Sequence, residues 1–366
     1  MRKSFIITLL LIFCNHMMAA SLRADENPAP ATSGDVPEEV RTSTMPAPAT
    51  SGDSMHVTGD RPLVGLVLGG GGAKGAAEVG ALKVLEELDI PIDFIAGTSI
   101  GSIVGGLYAC GYKAEEIEKL FLSQQWLDLF SNRNKSVAAN IVDEKDGTLY
   151  VLGFPILRTK PKEQPNDNDV ETGGLGILSG RQITQLLDSL TKPFDGIENF
   201  DKLPIPFRCV AVDMKSQEEI IMNNCELELA MRASMAIPGA FKPVKWKGHS
   251  LVDGGMLNNL PVDVVRAMGA EVVIAIDLES AEIEDDSNFS LKEAFGIGGL
   301  LDWAVSRPDR KKLKANREDA DVYIAPQLAD FEVSSFSREY ISTMIERGEK
   351  ATRAKAQEIK DLIKRK

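Results

Sequence analysis

The stretch PLVGLVLGGGGAKGAAEVGALKVLEELDIPIDFIAGTSIGSIVGGLYACGY, Pro62 to Tyr112, decides the fold. It opens on a continuous apolar run, Pro62 to Gly70, of the kind a strand shows when both faces of a parallel sheet are covered. After the glycines the apolar residues fall at helical spacing, with Ala77, Ala81, Val84, Leu85 and Leu88 on one face. IDFIAGTS then reads as a second strand and IGSIVGGLYACGY as a second helix rich in small residues. Strand, helix, strand, helix is the α/β order, and right-handed crossovers make the strands neighbours in a parallel sheet.

The same pattern returns further along the chain. PFRCVAVDM (Pro206–Met214), EVVIAIDL (Glu271–Leu278) and DVYIAP (Asp321–Pro326) read as strands, and a long helix from about Ser335 closes the chain. Residues 130–175 differ: they are polar and rich in helix and strand breakers. A segment of that length in a compact domain is a functional loop, an insertion or disorder, and it is read here as a cap beside the site. The division expected is a catalytic domain over residues 61–350 and a basic terminal helix over 351–366.

Ahead of this domain, Arg2 and Lys3 precede an uncharged run from Phe5 to Phe13, with small residues at Ala19, Ala20 and Ser21. That is the order of a secretory signal peptide over residues 1–20. The run is too short to cross a bilayer, which takes about 20 apolar residues. Export follows as an expectation, to the periplasm, the outer-membrane surface or the medium. Cys14 is a weak lipid-attachment site, because bulky Phe13 stands where lipoprotein signals carry a small residue. Residues 21–60 contain PAPATSGD twice, at 28–35 and 46–53, and have too little apolar surface to offset the entropy of ordering them. They read as a tether.

The chain of 366 residues carries a formal charge of -13. A balance this acidic argues against nucleic acid as a partner, since phosphate binding needs clustered cations. The basic end of the chain, Arg353 to Lys366, suits either a solvated terminal helix or contact with anionic lipid heads. Cys110, Cys209 and Cys225 are too widely spaced for a zinc site or a disulfide framework, and the first two lie in apolar runs.

Three elements can carry chemistry. LGGGGAKG, Leu68 to Gly75, joins a strand to a helix and offers backbone N–H groups, unobstructed by side chains, to negative charge. Gly70-x-Gly72-x-x-Gly75 also fits the dinucleotide fingerprint, a weak signal alone. A phosphate loop is excluded, because Lys74 is followed by Gly75 where Ser or Thr is required. The second element is Gly97-Thr98-Ser99-Ile100-Gly101, again at a strand-to-helix turn, where a serine can project as a nucleophile or cap the helix.

Such a serine needs a base. The histidines are His16, His56 and His249, and none follows His249, so the Ser, acid, His order of α/β-hydrolases fails unless His249 itself serves. The third element, LVDGGMLNNLPVD, supplies Asp253. Asp before Gly-Gly is ordinary turn chemistry. Buried beside a serine, the same carboxylate becomes a stronger base than its usual pKa near 4 allows.

GGGGAKG, GTSIGS and DGG, in this order and each at a strand end, resemble the motifs of the patatin-like phospholipase family in its bacterial form. RASMAIPGAFKPV (Arg232–Val244) and GGLGILSGRQI (173–183) are similar to further family segments, and the resemblance covers about residues 62–350. It implies a three-layer α/β/α fold with a mainly parallel sheet, and fatty-acyl ester hydrolysis by a Ser–Asp dyad without metal or cofactor. Position by position, Ser99 matches the nucleophile, Asp253 the base, and Gly70, Gly71, Gly72 and Ala73 the oxyanion loop. Ile237, Pro238, Phe241 and Val244 fit either an acyl channel or the core. The expected partner is a phospholipid or other fatty-acyl ester. The reading weighed against it is an inert lipid- or nucleotide-binding module on the same fold; a dinucleotide oxidoreductase leaves Ser99 and Asp253 unexplained.

Overall fold

The structure, a computed structural model, describes residues 61–130, 178–197, 199–279 and 310–364. The expected signal segment and tether, and the expected cap beyond its first residue, lie outside them.

The strands expected from continuous apolar runs form the centre of one eight-stranded sheet. β1 (Val64–Leu68) lies between β2 (Phe94–Thr98) and β7 (Val272–Ile276), parallel to both. β3 (Phe207–Asp213) extends the parallel set beyond β2, and β8 (Val322–Ile324) extends it beyond β7. Three antiparallel strands complete the sheet: β4 (Glu218–Met222), β5 (Val244–Trp246) and β6 (His249–Asp253).

β3 has an arrangement that fixes the site. β4 pairs with β3 over Cys209–Asp213, and β2 pairs with it over Phe207–Val210. These ranges overlap, so β2 and β4 occupy opposite edges. β6 pairs with β3 over Ala211–Asp213, where β4 already fills one edge. β2 and β6 therefore share the other edge, with Thr98 opposite Val210 and Asp253 opposite Ala211. Their C-terminal ends meet head-on.

Two apolar layers sandwich the sheet, as the alternation of side chains along a strand requires. Val64, Leu66 and Leu68 of β1 face one layer with Ile95, Ile274 and Ile276; Val67, Ala96, Val273 and Ala275 face the other. The thicker layer holds α1 (Ala76–Glu87), α2 (Ile100–Ala109), α3 (Ala114–Ser123), α4 (Trp126–Phe130), α5 (Arg181–Thr191) and α6 (Leu227–Ser234). The thinner holds α7 (Val262–Ala267) and α8 (Arg310–Asp319). This is the three-layer α/β/α fold expected.

The end of the chain differs from expectation in detail. α9 (Arg338–Ala354) stops and α10 (Ala356–Ile363) begins across Lys355, so residues 351–354 belong to the long helix. Neither helix is detached: Ile341, Met344 and Ile345 of α9 and Ile359 of α10 are buried in the main core. Cys110, Cys209 and Cys225 are free and buried.

Candidate active site

Ser99 sits between β2 and α2 with φ 54° and ψ -122°, a left-handed conformation that a non-glycine residue adopts at a cost. The turn closes because its neighbours lack side chains: a Cβ on Gly101 would stand 2.4 Å from Leu68 O. Ser99 occupies the N-cap position of α2, but its hydroxyl does not cap the helix. Instead Ser99 Oγ donates to Asp253 Oδ2 at 2.7 Å. Serine and aspartate are 7% and 5% exposed, so water screens this contact little.

Asp253 comes to this place because β6 ends opposite the end of β2 along the shared edge of β3. Its carboxylate does both things the sequence allowed. Oδ1 accepts the Gly255 N–H at 2.8 Å, as in an Asp–Gly turn, while Oδ2 accepts the serine hydroxyl. His249 lies at the opposite end of β6, four residues and about 13 Å of strand away. It stacks against Trp246, with Nδ1 3.1 Å from Asp213 Oδ2.

The glycine loop passes over the same sheet end, and an ideal Cβ at Gly70 would lie 3.2 Å from Ser99 Cβ. Its amides are not equivalent. Gly70 N–H donates to Asn259 O at 3.1 Å, and Ala73 N–H donates to Val333 O at 2.9 Å. Among the described residues, the Gly71 and Gly72 N–H groups have no acceptor. Of the four positions expected to supply amides to an anion, Gly70 and Ala73 have their donors on backbone carbonyls that hold the loop. Ile100 N–H, in the first turn of α2, lacks an intrahelical acceptor by its position.

Two residues not singled out in the sequence complete the arrangement. Asn259 holds the Gly70 peptide from both sides, accepting its N–H with its own carbonyl and donating Nδ2 to Gly70 O at 3.2 Å. Ser234, fully buried at the end of α6, accepts the Ser99 N–H at 2.9 Å. Two residues later, Ala236 O accepts the Asp253 N–H at 3.0 Å. One short segment thus fixes both the serine and the aspartate peptides. LNNLPVD shows the asparagine and RASMAIPG the serine, but nothing in either says what it will touch.

Beyond Ala236, Ile237 and Pro238 are half-buried and Val244 is half-buried on β5. Phe241 is core, edge-on to Phe130 at 5.8 Å and beneath the Arg232 guanidinium at 4.9 Å. Among the described residues no group of three or more His, Cys, Asp or Glu is placed to hold a metal ion, and no helix is long and apolar enough to cross a membrane.

Fold and site together define an α/β/α protein in which a strained serine turn, a buried aspartate and a glycine loop converge at one end of a mainly parallel sheet. The sequence model of the patatin-like phospholipase family matches residues 66–266, a span holding all three, and the chain belongs to that family. The chain is 32% identical over 253 residues to patatin-like phospholipase domain-containing protein 7 of Rattus norvegicus, covering 69% of this chain and 16% of that protein. It is 34% identical over 224 residues to lysophospholipase NTE1 of Mycosarcoma maydis, covering 61% of this chain and 10% of that protein. The chain therefore spans about a sixth or less of the length of these curated relatives. Among solved structures it is similar to VipD of Legionella pneumophila, with TM-score 0.47 and 16% identity, covering 81% of this chain and 67% of that one.

Proposed function

We propose that this protein is a serine lipid acyl hydrolase cleaving fatty-acyl esters, of phospholipase A or lysophospholipase type. The observation that carries the reading is the 2.7 Å hydrogen bond from Ser99 Oγ to a buried carboxylate, with no histidine between them. Asp253 Oδ2 takes the hydroxyl proton as Ser99 Oγ attacks the ester carbonyl, and the carbonyl electron pair moves onto oxygen. The oxyanion is held by Gly71 and Gly72 N–H, joined by Ile100 N–H; one such donor is typically worth about 3 kcal/mol in the transition state. Collapse of the tetrahedral intermediate expels the alcohol, which leaves with the proton from Asp253. Water then attacks the acyl-serine, losing its proton to Asp253, and the fatty acid departs as Ser99 is restored.

The relatives whose names contain phospholipase or lysophospholipase support the substrate class, and the acidic surface agrees with a partner other than nucleic acid. The signal-like residues 1–20 support an exported, bacterial form acting in the periplasm, at the outer membrane or outside the cell, with a membrane surface as its field of action. N-terminal sequencing of protein recovered from each compartment tests this; an intact Met1 on the functional protein overturns it.

The activity is tested with phospholipid, a chromogenic ester and a fluorophosphonate. The expected result is fatty-acid release and a single covalent adduct at Ser99. Ser99→Ala and Asp253→Asn are each expected to abolish turnover while leaving the circular-dichroism spectrum intact. Wild-type protein that binds lipid but neither hydrolyses it nor takes the label is a binding module instead.

A further inference from the structure

The glycine loop is contacted by a part of the chain outside the family-matched residues 66–266. Between β8 and α9, Gln327 to Phe336 passes over the glycine loop and presents the Val333 carbonyl to Ala73 N–H. The fit is close: Gly72 has φ +59°, and a Cβ there would stand 2.4 Å from Val333 O. Ala73 lies next to Gly72 in the chain, so the direction of its N–H restricts the direction of the two amides before it.

The segment is itself held. Ser335 N–H donates to Glu332 O at 3.1 Å, Glu332 N–H to Ser335 Oγ at 3.0 Å, and Phe336 N–H to Ser334 O at 2.8 Å. Phe336 packs on Trp126 and Phe130 of α4 at 5.9 and 5.2 Å. On the other side, Arg347 of α9 grips its start with three kinds of contact. It donates to Gln327 O at 2.6 Å, forms a two-pronged pair with Asp330, and lies over the Phe331 ring at 4.7 Å. An exposed ion pair alone contributes little. A forked pair combined with a carbonyl bond and a ring contact holds one guanidinium in one orientation.

We propose that Gln327–Phe336 is a positioning element of the active site, anchored by Arg347, which orients the Gly71 and Gly72 amides through the Val333–Ala73 hydrogen bond. The inference rests on the reading of that loop as the oxyanion site. Arg347 touches neither Ser99 nor Asp253; it acts through the loop.

Two measurements on the full chain test it. Amide hydrogen exchange reads the brace without reference to activity. In Arg347→Ala, exchange at Ala73 is expected to accelerate about 10-fold or more, the usual signature of local opening, while the amides of β3 keep their protection. Steady-state kinetics with a short chromogenic ester read the consequence. kcat is expected to fall about 10-fold, less than the loss of a whole oxyanion donor, with KM within about twofold. Arg347→Lys restores part of kcat, since it can pair with Asp330 but cannot fork. Gly72→Ala, which sets a methyl against Val333 O, is expected to reproduce the kcat loss at unchanged KM. Unchanged Ala73 exchange in Arg347→Ala, or accelerated exchange with kcat at the wild-type value, overturns the proposal. If the wild-type protein neither hydrolyses esters nor takes the fluorophosphonate, the hydrolase reading fails, and with it the catalytic half of this inference.

Discussion

Ser99 and Asp253 were legible in the sequence because each is announced by its own neighbours: a serine between glycines at a strand end, an aspartate before Gly-Gly. Asn259 and Ser234 were not, since their work lies in contacts with residues 189 and 135 positions away. Both make testable claims. Ser234→Ala leaves the Ser99 N–H buried without an acceptor, which costs about 1–3 kcal/mol; a lowered melting temperature together with reduced kcat is expected. Asn259→Leu frees the Gly70 peptide and is expected to lower kcat at least 10-fold while a fluorophosphonate still labels Ser99, only more slowly. Glu78 presents the opposite case, a buried acid the proposed chemistry does not use. It is fully buried in the first turn of α1, with no cation paired to it among the described residues. Burial drives its carboxyl well above the usual carboxylate range; the nearby Gly69 amide pulls the other way, and the charge of Asp277 adds to the push. A raised acid lowers stability as pH climbs above about 4.3, its unfolded value, so Glu78→Gln is expected to stabilise the protein increasingly from pH 4 upward. Melting curves of both proteins across pH 4 to 8 check this.

Among the elements, the five parallel strands were visible as apolar runs, the pattern of strands covered on both faces, although β8 has only three residues. β4 and β5 were not singled out, and β6 was read only as a strand end before DGG. β4, β5 and β6 are five, three and five residues long, and every β4 position before Met222 is exposed or half-buried, with no alternation to mark it. Their place comes from pairing with β3 and with each other. At the far end of β6 from the site, Asp213 secures the join of β3 and β6: its carboxylate accepts Ser250 N–H at 2.8 Å and faces His249 Nδ1. Burial works against ionisation there, but these bonds and the Lys215 and Ser216 amides prevail and hold the group down at about 2. The unfolded value is about 3.9, so the stabilisation is complete above that pH and is lost as pH falls towards 2. Asp213→Asn is expected to cost about 2 kcal/mol at pH 7 and to flatten the acid limb of the stability profile between pH 4 and 2. Denaturant melts at several pH values measure it.

For the whole molecule, the layer order was legible in the sequence, while residues 351–366 were set apart as a basic terminal helix and the partner of the long helix from about Ser335 was not named; Ile359 of that last stretch is buried in the main core. The structure places α9 directly against α1, so close that a Cβ on Gly348 would stand 1.9 Å from Ala77 O. Helical periodicity reveals that a helix has an apolar face and says nothing of which partner will approach it. Gly348→Val is therefore expected to force α9 off α1 and to cost more than the roughly 1–3 kcal/mol of ordinary overpacking. A chain cut after Asp319 is expected to lose cooperative unfolding, because it gives up β8 and the buried faces of α9 and α10. Both are read by thermal melts.

The head-on meeting of β2 and β6 along one edge of β3 has an implication for the life of the protein before it is finished. Ser99 and its partner carboxylate lie 154 positions apart. Until residue 253 has been made and has folded into place, the serine lacks the Asp253 carboxylate to take its proton. Closing the seam between the two strand ends is what brings the carboxylate to the serine, so the proposed hydrolase chemistry has no base until the sheet is whole.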